Sequence, residues 1–154
     1  MVPKIARTSF LYQELVVAER ILAEHLKSAT HRQILALLSK LRLHYPLTNL
    51  ASNQVQILLN DYLEDLGIYP FDILSAICLQ YRQNSLNSFF PKIAELLAPI
   101  REKWVARKWQ LVQIKILLAK AEKEQDLDFD DNRLLIKTIQ KEVEAMIKEL
   151  QANQ

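Results

Sequence analysis

One glycine, Gly67, serves a chain of 154 residues. Hairpin turns and phosphate-cradling loops draw on glycine because it alone enters left-handed backbone conformations without cost. A chain this poor in glycine has little material for a sandwich, a barrel, a Rossmann domain or a P-loop enzyme. What it has instead is apolar residues repeated at intervals of three and four, the period of helices. The expected fold class is all-α. Hydrophobic residues make up 50% and charged residues 25%, enough to build a core and too apolar for disorder.

The expected architecture is a compact multi-helix head over 1–98, followed by a C-terminal antiparallel helical hairpin over 99–154. Thr8 or Ser9 is placed to cap a first helix fading near Ser28, with Phe10, Leu15, Val17, Ala18, Ile21, Leu22 and Leu26 on its apolar stripe. Thr30 caps a second helix, His31 to about Tyr45, which Pro46 stops. Ser52 or Asn53 caps a third, carrying Val55, Leu58, Leu59, Tyr62, Leu63 and Leu66; Gly67 follows where a left-handed C-cap belongs. Pro70 opens a fourth helix to about Arg82, and Ser88 caps a fifth with Pro91 in its first turn. Pro99 is expected to kink or break that helix. Leu58, Leu74, Ile77, Phe90, Ile93 and Leu97 are expected to share the core of the head.

Helical spacing resumes at Ile100 and runs to about Gln125. After the acidic stretch Asp126 to Asp131, a last helix extends to about Gln151. Ile136, Ile139, Val143, Met146 and Leu150 are spaced three, four, three, four, a heptad seam of coiled-coil type. That seam is the expected oligomer interface, with a homodimer as its product. Packing back onto Leu111, Ile114 and Leu118 is the alternative.

The net charge is only +2, yet it alternates along the chain. Arg20 to His44 holds five bases and one acid. Asn53 to Asp72 holds four acids and no base. Arg101 to Lys120 holds six bases and one acid. The two basic segments can form a phosphate-binding face, with Arg101, Lys103, Arg107, Lys108, Trp109 and Lys115 as candidate nucleic-acid contacts. The competing reading is internal neutralisation, basic helix beside acidic helix, with Trp104 in the core.

Catalytic and metal constellations fail. No His–Glu–x–x–His, cysteine pair or nucleophile-elbow serine is present. His25, His31 and His44 are isolated, and Cys78 lies on an apolar helix side. Asp126, Asp128 and Asp130 have calcium-loop spacing, but Asp131 replaces the needed glycine and Lys137 the bidentate glutamate. The expectation is a non-enzyme without cofactor or metal. A lone cysteine, no bilayer-length apolar run and no signal-peptide core in Met1 to Phe10 fit a cytoplasmic protein off the membrane.

One segment carries a resemblance. Tyr45–Pro46 is followed by the acidic Asp61–Tyr62–Leu63, then by Tyr69–Pro70 before an alanine-bearing helix. Phe89–Phe90–Pro91–Lys92–Ile93–Ala94–Glu95–Leu96 comes after them. This order, over about 45–98, resembles small helical replication proteins of phages and prophages, of the helicase-loader and replisome-organiser type. The resemblance implies a non-catalytic adaptor that holds a replicative helicase or an initiator, sometimes near DNA. The bottom-up reading of Phe89 and Phe90 is a hydrophobic staple at a helix start. A helical interaction protein unrelated to replication, and a DNA-binding module using Arg101 to Lys120, are the other two classes.

Overall fold

The computed structural model describes residues 10–123, together with Lys141 and Ala145. The acidic stretch 126–131, the last helix and the seam Ile136, Ile139, Val143, Met146 and Leu150 were expectations that lie outside the described residues. Five helices are described: α1 (Phe10–Glu24), α2 (His31–His44), α3 (Ser52–Leu66), α4 (Phe71–Gln83) and α5 (Ile93–Lys123). The described part is all-α, with no strand among the described residues.

The chain divides into two compact units, one of them His25–Trp104, the other Met1–Glu24 with Val105–Gln154. This differs from the division at 98/99 read from the sequence. Helix α1 groups with the residues after Trp104, and the Tyr12 hydroxyl donates to Glu122 Oε1 at 3.0 Å across 110 positions. No residue of α1 is buried: Leu15, Ala18 and Leu22 are half-buried, while Phe10, Val17 and Ile21 of the same expected stripe are exposed. In the later part of α5, Val112, Leu118 and Ala121 are buried.

The unit His25–Trp104 is built on α2, which packs against both α3 and α4. Its buried residues follow helical spacing: Ile34, Leu38 and Leu41 on α2; Val55, Leu59, Tyr62 and Leu66 on α3; Ile73, Leu74, Ile77 and Cys78 on α4; Leu96 and Ile100 on α5. Of the six expected core residues, Leu74 and Ile77 are buried; Leu58, Phe90, Ile93 and Leu97 are half-buried against them. Trp104 packs there too, edge-on to Tyr69 with ring centroids 5.3 Å apart. The Ala29 amide donates to the Tyr69 carbonyl at 2.8 Å, tying the start of α2 to the α3–α4 turn.

Helix starts follow local chemistry in part. Thr30 forms a full capping box: its Oγ1 accepts from the Gln33 amide at 3.2 Å, and Gln33 Oε1 accepts from the Thr30 amide at 2.9 Å. Helix α3 starts one residue earlier than expected, so that Ser52 lies inside it and Ala51 stands at the cap. Ala51 has no side-chain acceptor, and only the return half of the box remains, Ala51 amide to Gln54 Oε1 at 3.0 Å.

Three expectations are corrected. Gly67 is right-handed (φ −66°, ψ −13°), because α3 ends by tightening into a turn. The Gly67 amide reaches the Glu64 carbonyl at 3.3 Å, and the Tyr69 amide reaches Leu66 at 3.2 Å. What glycine supplies there is room: a β-carbon would lie 3.1 Å from the Leu63 carbonyl oxygen. Second, Ser88 does not cap α5, which begins at Ile93 after an irregular segment. Third, of the kink or break expected at Pro99 the break does not occur, and α5 continues through it to Lys123. Proline removes the bond to the carbonyl four residues back; that residue, Glu95, is exposed, where water can serve instead.

Candidate protein-interaction surface

The segment between α4 and α5 is held by two tyrosine hydroxyls from different helices. Tyr81, on α4, donates to the Phe89 carbonyl at 2.6 Å. Tyr62, on α3, donates to the Pro91 carbonyl at 2.7 Å in a buried bond. Between these anchors the Phe90 ring packs on Tyr62, centroids 5.7 Å apart, and Pro91 is fully buried. Burial pushes the Tyr62 hydroxyl above its ordinary value; the Ile93 backbone hydrogen bond opposes this, and Glu95 and Asp65 add to it. Tyr81 is raised as well, by burial first and then by Glu95.

This anchored backbone presents Phe89 to solvent, 81% exposed, three residues after Leu86 at 86%. The expected staple is therefore half realised: Phe90 packs and Phe89 does not. Isolated exposed apolar residues are ordinary; Phe89 is a large one carried on backbone that two tyrosine hydroxyls hold.

The concavity is a groove of about 410 Å³ along α3, reaching the first residue of α5. Leu50, Ile57, Leu58, Tyr62 and Ile93 give it an apolar lining, and Gln54, Asp61 and Asp65 its polar one. Ile57 is 59% exposed. It falls outside the apolar stripe read for this helix, and that misfit was the signal available in the sequence. A smaller cleft of about 120 Å³ lies between α2 and α4, lined by Lys40, Ser75, Cys78 and Arg82 among others. Arg82 Nη1 sits 2.9 Å from His44 Nε2. Burial pushes the Cys78 thiol up to about 11, so it stays protonated at neutral pH and is a poor nucleophile.

The six candidate nucleic-acid contacts all lie on α5. Arg101, Lys108 and Lys115 are seven apart and run along one side of it. At about 100° per residue, Lys103 and Arg107 fall well round the helix from that row, and Trp109 falls on the opposite flank. A single helix therefore does not gather them on one face. Lys103 and Lys115 are exposed, Arg107 and Lys108 half-buried, and Trp109 is 43% exposed. Arg101 is half-buried, its Nε 3.4 Å from the Tyr69 hydroxyl. On α2, Arg32, Lys40 and Arg42 are exposed, and the helix carries no acid.

Among the described residues no group of three or more His, Cys, Asp or Glu side chains could hold a metal ion. No described helix is long and apolar enough to cross a membrane. No protein-family model, curated protein or solved structure matches this chain.

Proposed function

We propose that this chain is a non-catalytic helical adaptor that binds a protein partner through the Phe89 loop and the adjoining α3 groove. The observation that carries the reading is the exposed Phe89 on a backbone anchored by Tyr62 and Tyr81. Anchoring beforehand lowers the ordering cost of association, which is what a docking residue gains from a rigid mount. The likeness to phage and prophage replication proteins rests on the order of motifs over about 45–98, of which Phe89 to Leu96 is the last. The partner proposed from that likeness is a replicative helicase or an initiator, met in the cytoplasm.

The test is co-elution of the purified chain with the replicative helicase and with the initiator encoded in the same genome. Either complex should form with the wild type and weaken at least tenfold with Phe89→Ala, with the melting curve retained. Failure of both to bind overturns the replication reading. Binding that ignores Phe89→Ala and Ile57→Glu overturns the surface.

A second reading, direct DNA binding, draws on the stretch Arg101 to Lys120 of α5, with six bases and one acid. A gel shift with single- and double-stranded DNA at two salt concentrations separates it, since a phosphate-led complex weakens steeply with salt. The homodimer rests on the heptad seam Ile136 to Leu150. A solution mass near 18 kDa at high protein concentration would end it.

A further inference from the structure

We infer that the α3 groove takes a basic amphipathic helix of a partner protein. This deepens the adaptor reading and rests on it. The occupant is argued from charge, shape and length. The floor is apolar, formed by Leu50, Ile57, Leu58 and Ile93, and such a floor accepts residues recurring at three and four along a helix. Asp61 and Asp65 both line the groove, one turn apart on α3, and both are exposed. No ion pair engages either of them among the described residues. The surrounding stretch, Asn53 to Asp72, contains four acids and no base. The Glu95 and Asp65 charges both act on the Tyr62 hydroxyl, so a third carboxylate lies near the same end. An acidic partner would meet like charge along this rim, and a wholly apolar one would leave the carboxylates desolvated without a counter-charge.

Gln54 to Asp65 is twelve residues of α3, about 16 Å from first to last. That length matches about three turns of a docked helix. Lysine or arginine flanking an apolar stripe on that helix would face Asp61 and Asp65, while the stripe meets Ile57 and Leu58. Exposed rim charges set partner choice and association rate more than they add affinity. Reversing both should therefore change selectivity more than overall binding strength.

The probe is a four-turn Leu/Lys amphipathic helical peptide, compared with a Leu/Glu peptide of the same apolar pattern. Binding is read by amide chemical-shift changes on the full chain. The Leu/Lys peptide should move Ile57, Leu58, Asp61, Asp65 and Ile93. Its affinity should fall about tenfold in the Asp61→Lys, Asp65→Lys double variant, which should gain affinity for the Leu/Glu peptide. A melting curve for the variant shows that its fold is retained; Asp61→Asn with Asp65→Asn replaces it if that fold is lost, with a smaller fall expected. Equal binding of both peptides in the groove overturns the charge assignment and leaves the docking surface standing. Shifts confined to other elements, or none with either peptide at about millimolar concentration, overturn both.

Discussion

The hydroxyl of Tyr62 donates to the carbonyl of Pro91 at 2.7 Å, joining the middle of α3 to the entry of α5 across 29 positions. The bond is buried, and Pro91 itself is fully enclosed. It holds the segment that carries Phe89 and places the first turn of α5 without a side-chain cap at Ser88.

Tyr62→Phe should therefore destabilise the chain by about 1–2 kcal/mol, because a buried carbonyl loses its donor. Tyr81→Phe breaks a bond of similar length in an exposed setting and should cost about half as much or less. Urea unfolding of the two variants checks the order. Equal midpoints would contradict the anchor assigned to Tyr62.

Leu74 is wholly buried and Leu79, five residues on along α4, is 41% exposed. Leu74→Ala should cost about 2–5 kcal/mol from lost transfer energy and the cavity left behind. Leu79→Ala should cost about 1 kcal/mol or less. Chemical denaturation of both variants measures the difference, and comparable losses would contradict the core described here.

Gly67→Ala tests the turn after α3. In a right-handed conformation alanine gains from a less flexible unfolded chain, by about 0.4–1 kcal/mol. The 3.1 Å approach to the Leu63 carbonyl opposes that gain. The expected net change is within about 1 kcal/mol by thermal melting. A loss above about 2 kcal/mol would mean that the Leu63 carbonyl does not give way to the added methyl.

Alkaline pH should weaken the fold. The Cys78 thiol ordinarily ionises at 9.0 and is pushed up to about 11 by burial, and the Tyr62 and Tyr81 hydroxyls are raised from 10.0. Above 9.0 the unfolded chain gives up these protons first, so it binds fewer than the folded chain and stability falls as pH rises. Their stabilising effect is complete below 9.0 and is lost as pH passes through the raised values. Melting temperatures across that range should decline less steeply in Cys78→Ala with Tyr62→Phe. At pH 8 a thiol reagent should label native Cys78 far more slowly than the urea-unfolded chain.

By itself the sequence determined the helices and most of their ends. The apolar spacing of Ile34, Leu38 and Leu41 is enough to set one face of α2, and Thr30 with Gln33 closes its capping box, because such contacts span only a few residues. What only the tertiary structure decided depends on residues far apart in the chain. Ser88 is a good cap by local rules, yet α5 starts at Ile93 with Tyr62, on α3, bonded to Pro91. Gly67 follows a periodic run, yet the Ala29–Tyr69 bond fixes the turn beyond it and no left-handed residue is needed. The groove was hidden for the same reason. Ile57 on α3 and Ile93 on α5 are 36 positions apart in the numbering, and a concavity between helices follows from packing, which a helical period does not encode.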